Sequence, residues 1–481
     1  MATRYVDRRR EEIAARVRGP IYLTENIRRI ERGCGVPEPE LMQRAAGAAA
    51  DLAQRIISDQ KDVLVLAGPG NNGGDARVMA KLLEERFFRV TVASKRDEAP
   101  DKPWGLVVDG LFGIGLAREV AGDHAALVDY ANAQRCPVLA LDIPSGVHSD
   151  SGRVLGRAVR ATHTITFIAL KPGLLTLDGP DHCGEIEVAD LGVQNAMAPS
   201  AWVAEPGPFK ELLKPRPRNF HKGLAGSVGV LGGAAGMTGA ALLAARAALK
   251  MGAGRVYVGL LEESISVDPM NPELMLRHPD DALGQDLDAL VVGPGLGQGE
   301  RAETLVGAAL ASDLPCVLDA DALNLLSENE DLRHACARRS AETLLTPHPA
   351  EAARLLAITT ADVQADRVKA ARILAENLRA HVVLKGAGSI LVARDSHWFV
   401  NTSGNPGMAS AGMGDVLAGM LGALLAQRYT GETALVLGVH LHGAAADDLV
   451  EAGAGPVGLT AGEVIDAARR RWNRWLGHHG G

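Results

Sequence analysis

The chain has 481 residues, of which 47% are hydrophobic, 22% charged and 4% aromatic, and its net charge is −8 at pH 7. This length is typical of roughly two to four domains. So few aromatic residues and a negative charge argue against nucleic-acid binding, and no stretch approaches the about 18 apolar residues of a membrane span.

The chain begins with an arginine-rich segment that acidic residues interrupt. Its arginines are Arg4, Arg8, Arg9, Arg10, Arg16 and Arg18, and its acids are Asp7, Glu11 and Glu12. Because no apolar segment follows, we predict a solvent-exposed helix rather than a signal peptide.

The first half of the chain alternates between strand and helix patterns. Residues 63–67 form a continuous apolar run, followed by a glycine loop and a helix with Val78, Leu82 and Leu83 on one face. Further strands are predicted at residues 90–93, 106–109, 138–142, 164–168 and 185–188. The alternation predicts a parallel sheet with right-handed crossovers in a first domain, residues 1–205.

A proline-rich linker is predicted at residues 206–218, and the alternation then restarts in a second domain, residues 219–481. Strands are predicted at 228–231, 256–258, 290–292, 317–319, 344–346 and 382–384, with a hairpin through 390–392 and 398–400. Helices are predicted at 238–251, 412–427, 432–450 and 461–475. The pattern predicts two doubly wound α/β domains and leaves the strand order open.

The five cysteines are scattered and contain no CxxC pair: Cys34, Cys136, Cys183, Cys316 and Cys336. This pattern predicts reduced thiols in a cytoplasmic protein rather than a disulfide framework or a zinc site.

The loop after the first strand, GPGNNGGD at residues 68–75, fits the G-x-G-x-x-G pattern of dinucleotide-binding folds. An NAD-binding fold would also place an acid at the end of the second strand, where this chain has Ser94, Lys95 and Arg96. The sequence therefore does not fit the NAD-binding form of this pattern. Asn71, Asn72 and Asp75 instead offer amide and carboxylate groups.

Two more strand ends carry acids, Asp109 and Asp142. In an open α/β sheet these residues and Asp75 would converge at the crevice beyond the strands' carboxyl ends, where ligands bind. The alternative for each acid is a helix N-cap. Three such acids together favour a site over three separate caps.

The ordered motifs GPGNNGGD, VDGLFGIGL (108–116) and DIPSG (142–146) resemble the NAD(P)H-hydrate epimerase domain. This resemblance implies that Asn72, Asp109 and Ser145 hold a potassium ion. We predict that Asp142 is the residue that handles the proton. The resemblance also implies that the hydrated nicotinamide nucleotide is contacted by Asn71, Asn72, Gly73, Gly74, Asp75, Gly113, Ile114, Gly115, Leu116, Ala117, Arg118, Glu119 and Asp142.

In the second half, the small-residue segment 404–415 ends in Gly414 and Asp415 and leads into an apolar helix. Glycines leave the backbone N–H groups of a helix start uncovered, so that an anion can bind there. A carboxylate beside that position is suited to proton transfer during phosphoryl transfer to a hydroxyl. The alternative is a glycine-rich helix start that serves packing alone.

The second half has no P-loop, and its motifs resemble the ADP-dependent NAD(P)H-hydrate dehydratases of the ribokinase-like superfamily. These motifs are HKG (221–223), MTGA (237–240), GPGLG (293–297), DADALN (319–324), TPHP (346–349) and LKGAGS (384–389). The resemblance implies that Ala240, Gly295 or Gly297, His348 and Asp415 face the nicotinamide substrate. It implies that the adenine nucleotide is lined by Lys385, Gly386, Ala387, Gly388, Ser389 and Gly414.

Taken together, the resemblances imply a bifunctional metabolite-repair enzyme. The first domain would interconvert R and S forms of NADHX and NADPHX, and the second would dehydrate the S form while ADP becomes AMP and phosphate. Asp415 would be the general base, and the N–H groups of residues 411–414 would hold the phosphoryl group. Magnesium in the second domain and a homo-oligomer are also expected.

Several alternatives stay open at this point. Asp319 and Asp321 either bind magnesium or cap a helix, His348 is otherwise a turn residue, and Lys385 is otherwise a strand end. The second domain is otherwise a ribokinase-like kinase for a sugar or vitamin precursor. The first domain is then a ligand-binding or scaffold module.

Overall fold

A computed structural model describes residues 19–57, 60–194, 197–213, 215–262 and 265–477. The chain divides into two compact units between Val203 and Ala204. The helix predicted for the arginine-rich start lies outside the described residues.

The first unit contains a parallel sheet with helices between its strands. Its elements are β1 (Pro20–Ile21), α1 (Thr24–Gly33), α2 (Glu38–Ile56), β2 (Asp62–Ala67), α3 (Asn71–Glu85), β3 (Arg89–Ala93), β4 (Leu106–Gly110), α4 (Gly122–Asn132), β5 (Val138–Leu141), β6 (His163–Phe167), α5 (Gly179–Cys183), β7 (Glu185–Ala189) and β8 (Ala201–Val203). Six strands pair in parallel in the order β3-β2-β4-β5-β6-β7, and β1 pairs antiparallel with β8.

The central strand β2 is buried on both faces from Val63 to Ala67, as expected for an apolar run in a parallel sheet. Val65 packs with α2 and α3, whereas Leu64 packs with the cluster on the α4 side. The strand order reverses between β2 and β4, which makes their carboxyl ends the point where a doubly wound fold binds ligands.

The second unit has a larger sheet. Its strands are β9 (Ser227–Gly232), β10 (Arg255–Leu260), β11 (Met275–Arg277), β12 (Ala289–Val292), β13 (Cys316–Leu318), β14 (Thr343–Leu345), β15 (His381–Leu384), β16 (Ser389–Val392) and β17 (Trp398–Asn401). Their order is β17-β16-β15-β14-β13-β12-β9-β10-β11, and only the β15-β16 and β16-β17 pairs within this order are antiparallel.

The helices of the second unit are α6 (Thr238–Lys250), α7 (Pro279–Leu283), α8 (Glu300–Ala311), α9 (Asp321–Glu328), α10 (Glu330–Arg338), α11 (Pro349–Leu356), α12 (Thr360–Ala365), α13 (Arg367–Leu378), α14 (Met413–Ala426), α15 (Gly431–Glu451) and α16 (Ala461–Trp475). Every residue of α14 except Gly414 and Asp415 is buried. A side chain at Gly419 would lie 2.0 Å from the carbonyl oxygen of Ala244, so glycine lets α14 approach α6 closely.

The predicted α/β class with two doubly wound units is confirmed, and each predicted strand is present to within two residues. Asp142 and Ile168, placed in strands by the sequence, follow them instead with positive φ of 67° and 69°. The predicted linker contains a short 3₁₀ helix, Gly207–Leu212. Among the described helices, none combines the length and apolarity needed to cross a membrane.

Candidate active sites

The first site lies at the carboxyl ends of β2, β4 and β5, where Asp109 and Ser145 meet. Asp109 is fully buried, and its carboxylate accepts hydrogen bonds from Ser145 Oγ at 2.6 Å and Ser145 N at 2.8 Å. Leu111 N donates to the same carboxylate at 3.3 Å. Burial raises the pKa of Asp109 to about 6, although the hydrogen bonds from Ser145 and Leu111 oppose the rise.

Asn72 and Asp142 converge at Gly113. Asn72 is buried in the first turn of α3, and neither its Oδ1 nor its Nδ2 has a hydrogen-bond partner within the described part of the chain. A Cβ at Gly113 would lie 3.1 Å from Asp142 Oδ2 and 3.3 Å from Asn72 Cγ. Glycine at this position therefore keeps open the space between the two side chains.

Lys171 holds one oxygen of Asp142. The fully buried ammonium donates to Asp142 Oδ1 at 2.6 Å, Thr166 Oγ1 at 2.8 Å and the carbonyl oxygen of Phe167 at 2.8 Å. These three acceptors use all of its protons. Asp142 Oδ2, which receives a longer hydrogen bond from Ile114 N at 3.3 Å, is the oxygen that faces Gly113.

Asp75 is a second carboxylate near Asp142. It is half-buried on α3, one turn after Asn72. Burial, followed by the negative charges of Asp142, Glu31 and Glu38, raises its pKa to about 8. None of the three acids is a helix N-cap, because Asp75 lies inside α3, Asp109 lies inside β4 and Asp142 follows β5 without a helix.

The other residues that the resemblance assigned to this substrate differ in exposure. Asn71 donates from Nδ2 to Glu38 Oε1 at 2.9 Å. Gly73 and Leu116 are buried, and a Cβ at Gly74 would contact Met42. The loop between β4 and α4 leaves four of them at the surface: Gly115, Ala117, Arg118 and Glu119.

The second site is the N-terminal end of α14. Gly412 precedes the helix with φ of 88°, a conformation that favours glycine, and no side chain in the described part of the chain caps the first turn. Gly414 and Asp415 are half-buried there, whereas the rest of the helix is inaccessible. Uncapped N–H groups at the positive end of a helix form a binding site for an anion.

A cation and a buried carboxylate lie against this helix end. Lys385 Nζ is 3.1 Å from Asp319 Oδ1 and 4.0 Å from Glu351 Oε2, and Thr346 Oγ1 donates to Asp319 Oδ1 at 2.6 Å. A Cβ at Gly414 would lie 3.1 Å from Lys385 Nζ. Desolvation lowers the pKa of Lys385, but attraction to Asp319 and Glu351 outweighs it and the pKa is raised, so the ammonium stays charged.

Asp415 occupies the third position of α14. Burial raises its pKa to about 7, the charge of Asp319 adds to the rise and Lys385 opposes it. A carboxylate with this pKa is matched to general-base catalysis at neutral pH.

His348 caps α11 with its ring, because Nδ1 accepts a hydrogen bond from Ala350 N at 3.1 Å. Glu351 completes the capping box by accepting from His348 N at 2.7 Å. Partial burial, followed by the positive charges of Lys385 and Arg354, lowers the pKa of His348. The ring is therefore a neutral cap in the electrostatic field of Lys385 rather than a simple turn residue.

Loops at the ends of β9, β12 and β13 meet beside α14. A Cβ at Gly295 would lie 3.2 Å from Ala240 Cβ, and Gly297 N donates to Asp321 Oδ2 at 2.8 Å. Asp319 and Asp321 make no side-chain cap to α9, which begins after Ala320. In the loop between β15 and β16, Ser389 Oγ donates to the carbonyl oxygen of Gly386 at 3.0 Å.

Residues 228–469 match the family described as NAD(P)H-hydrate dehydratase, and residues 38–104 and 93–173 match the one described as YjeF-related protein N-terminus. The chain is 39% identical to the bifunctional NAD(P)H-hydrate repair enzyme Nnr of Coxiella burnetii, with 93% of this chain and 98% of that protein covered. The chain belongs to the bifunctional NAD(P)H-hydrate repair enzymes. The predicted family and the prediction of two joined enzyme activities are confirmed.

Other members of this repair-enzyme family are also similar. The Escherichia coli bifunctional NAD(P)H-hydrate repair enzyme Nnr is 36% identical over 94% of this chain and 93% of its own length. A crystal structure of ADP/ATP-dependent NAD(P)H-hydrate dehydratase from Bacillus subtilis, co-crystallised with ATP and Mg²⁺, is 30% identical with a TM-score of 0.51. It covers 57% of this chain and 98% of the Bacillus chain.

Several contacts of this repair enzyme could not be predicted from its sequence. Lys171 was detectable only as a lone cation in an apolar stretch, and its pairing with Asp142 spans 29 residues. Asp447 of α15 accepts hydrogen bonds from Gly404 N at 2.8 Å and Asn405 Nδ2 at 2.9 Å, and so anchors the segment that leads to α14. No motif marked Asp447 because its partners are 42 and 43 residues away.

Proposed function

We propose that the first unit epimerises R and S NAD(P)HX and that the second unit dehydrates S-NAD(P)HX to NAD(P)H while ADP becomes AMP and phosphate. The observation that carries the second assignment is Asp415, a half-buried carboxylate with a pKa of about 7 at an uncapped helix end beside Lys385. Membership of the repair-enzyme family supports both assignments.

In the dehydratase reaction, Asp415 accepts the proton of the substrate's C6 hydroxyl as the oxygen attacks the terminal phosphoryl group of the nucleotide. The N–H groups of residues 411–414 hold the transferred group, as donors fixed in advance do in oxyanion sites. Lys385 balances the negative charge of the transferred phosphoryl group. The lone pair of the ring nitrogen then expels phosphate, which leaves far more readily than hydroxide, and loss of a C5 proton gives NAD(P)H.

The nucleotide would lie along residues 385–389 and Gly414, and the nicotinamide would lie toward Ala240, Gly295 or Gly297, and His348. Magnesium held by Asp319 and Asp321 would shield the negative charge of the nucleotide phosphates. Asp319 and Asp321 fit this ion by donor type, because both present carboxylate oxygens beside α14. Backbone N–H groups accept the phosphates of ADP or ATP alike, so the preference for ADP is proposed from the family.

In the epimerase reaction, Asp142 handles a proton of the hydrated nicotinamide through the oxygen that Lys171 leaves available. A potassium ion would be held by Asn72, Asp109 and Ser145 and would supply a fixed positive charge. The buried Oδ1 of Asn72, which has no hydrogen-bond partner among the described residues, fits such an ion, because neutral and anionic oxygens are ligands for hard cations.

The test is incubation of the full chain with S-NADHX and ADP while reduced-nicotinamide absorbance, AMP and phosphate are followed. We expect the three products in equal amounts and, with R-NADHX, consumption faster than spontaneous epimerisation. A ribokinase-like kinase would instead accumulate a stable phosphate ester without NADH. A cytoplasmic location and a homo-oligomer remain predictions.

A further inference from the structure

We propose that Asp75 is the proton donor of the epimerase reaction and works opposite Asp142, the proton acceptor. This inference rests on the proposed epimerase activity of the first unit. It gives the two carboxylates of the crevice different tasks, and it makes Asp75 a catalytic residue rather than a binding residue only.

The backbone places both carboxylates at one crevice. Asp75 follows Asn72 by three residues on α3, so the two side chains lie on the same helix face. Asn72 Cγ and Asp142 Oδ2 both border the position where Gly113 lacks a side chain. Asp75 and Asp142 also interact electrostatically. A small ring that enters at Gly113 would therefore have Asp142 on one side and the Asp75 face of α3 on the other.

The two carboxylates differ in their partners. Asp142 has a buried ammonium at 2.6 Å, and that ammonium has no proton left for another acceptor. Asp75 is half-buried and, within the described ranges, has no hydrogen bond and no ion pair. Within the described residues, the buried ammonium of Lys171 is therefore paired with Asp142 and gives no hydrogen bond to Asp75.

The surrounding charges favour a proton on Asp75. Glu31 of α1, Glu38 of α2 and Asp142 after β5 act on it, and burial is the largest cause of its raised pKa of about 8. The positive groups that act on the neighbouring Glu31 are Lys171 after β6 and Arg28 on α1, whose Nη2 would be 3.3 Å from a Cβ at Gly115. At neutral pH Asp75 is thus a carboxylic acid and can donate.

The chemistry needs one donor and one acceptor. C6 of the hydrated ring carries both a hydroxyl and the ring nitrogen N1. Asp142 takes the hydroxyl proton, the C6–N1 bond breaks with its electron pair moving to N1, and Asp75 gives N1 a proton. C6 is then an aldehyde. After rotation about C5–C6, N1 attacks the other carbonyl face, Asp75 regains the N1 proton and Asp142 returns its proton to the oxygen.

Breaking the C6–N1 bond explains how the enzyme can invert the configuration at C6 while the hydroxyl oxygen stays bound to C6. If C6 instead lost hydroxide, the cation left behind could lose a C5 proton and become NADH directly. That route would make the nucleotide-driven step of the second unit unnecessary. No oxidant, reductant or further reactant enters the proposed step, and both aspartates end in their starting states.

The experiment compares Asp75→Asn with wild type over a range of pH, with R-NADHX as substrate. Wild-type epimerase activity should be level around neutral pH and fall above pH about 8, because the acid form of Asp75 is needed. The epimerase rate of D75N should be lower by roughly 100-fold or more, and its activity should no longer decrease at alkaline pH. Asp75→Glu should restore part of the rate and the fall.

The matched control is Glu31→Gln, which removes an exposed carboxylate from the same electrostatic environment. It should keep the alkaline fall and move it to lower pH, since a negative neighbour of Asp75 is gone. Urea-induced unfolding of each variant reports folding of the first unit, in which Asp75 lies. If D75N were unfolded, the D75E profile would decide, because a profile without the alkaline fall overturns the proposal.

The results separate two failures. Near-wild-type epimerase activity of D75N with an unchanged alkaline fall would overturn the role of Asp75 and leave the epimerase function standing. A wild-type chain that does not accelerate R-NADHX consumption at any pH would overturn the proposed function itself. Full epimerase activity in a D142N variant would show that Asp142 is not the proton acceptor.

Discussion

Replacing Asp415 by Asn should abolish dehydration and stabilise the second unit. Asn keeps the size and polarity of the side chain but cannot accept the C6 hydroxyl proton. Loss of a positioned general base costs about 10²–10⁴ in rate, which corresponds to roughly 3–5 kcal/mol of transition-state free energy. Epimerase activity in the first unit should be unchanged and serves as an internal control.

The stability effect follows from the raised pKa of Asp415, which is about 7 in the folded chain against an ordinary aspartate value of 3.8. The folded state binds this proton more tightly than the unfolded state, so ionisation lowers stability progressively as the pH rises from about 4 to 7. The pKa shift of Asp415 limits the loss of unfolding free energy caused by its ionisation to about 4 kcal/mol. Because the side chain is partly exposed, we expect D415N to raise the unfolding free energy by only about 1–2 kcal/mol above pH 7.

The assays are NADH regeneration from S-NADHX with ADP and urea-induced unfolding, each measured at pH 5 and at pH 8. Wild-type dehydration should rise with pH to a plateau above about pH 7, because the base must be ionised. Asp466→Asn, at an exposed carboxylate on α16, is the matched control and should change neither property. A D415N variant that keeps more than a tenth of the wild-type rate would refute the general-base role.

Three further predictions concern the same two sites. Gly414→Ala should raise KM for ADP about tenfold, because its Cβ would lie 3.1 Å from Lys385 Nζ, whereas Gly462→Ala, with open space around its Cβ, should not. Lys385→Met should cost about 3 kcal/mol of unfolding free energy, as Asp319 is left buried without its cation. Adding D319N should recover that stability in urea titrations but not the activity. Epimerase activity should rise with potassium and not with choline, and Asn72→Ala should remove this dependence.

Each of these has an opposing result. An unchanged KM in G414A would mean that nucleotide does not approach the tip of α14. If K385M and the double variant were equally unstable, the Lys385–Asp319 pair would not be the cause of the loss. Epimerase activity that is equal in potassium and choline would exclude the proposed ion from the reaction.

Much of the fold could be predicted from the sequence because parallel strands buried on both faces appear as continuous apolar runs. The run at residues 63–67 and the small-residue helix that begins at Met413 are examples. Strand order was not predictable, since it depends on which crossovers pack together. Strand ends were misplaced by one residue at Asp142 because nothing local marks its positive φ.

The candidate site residues could be predicted where they lie in a recognisable sequence motif. Asp109 and Ser145 each lie in such a motif, and the structure adds that they are joined by hydrogen bonds of 2.6 and 2.8 Å. Lys171 and Asp447 carry no local signal, because their roles depend on partners that folding brings from distant parts of the chain. The pKa values of Asp75 and Asp415 were likewise unreadable, since burial is their main cause.

The most direct test follows the oxygen atom of the substrate. S-NADHX prepared with ¹⁸O in its C6 hydroxyl is converted by the full chain with ADP, and the phosphate released is analysed by mass spectrometry. If the hydroxyl oxygen attacks the phosphoryl group at the end of α14 while Asp415 takes its proton, each phosphate carries one ¹⁸O. If the label appears in water and the phosphate is unlabelled, the hydroxyl is never phosphorylated, and the proposed roles of Asp415 and the helix end are wrong.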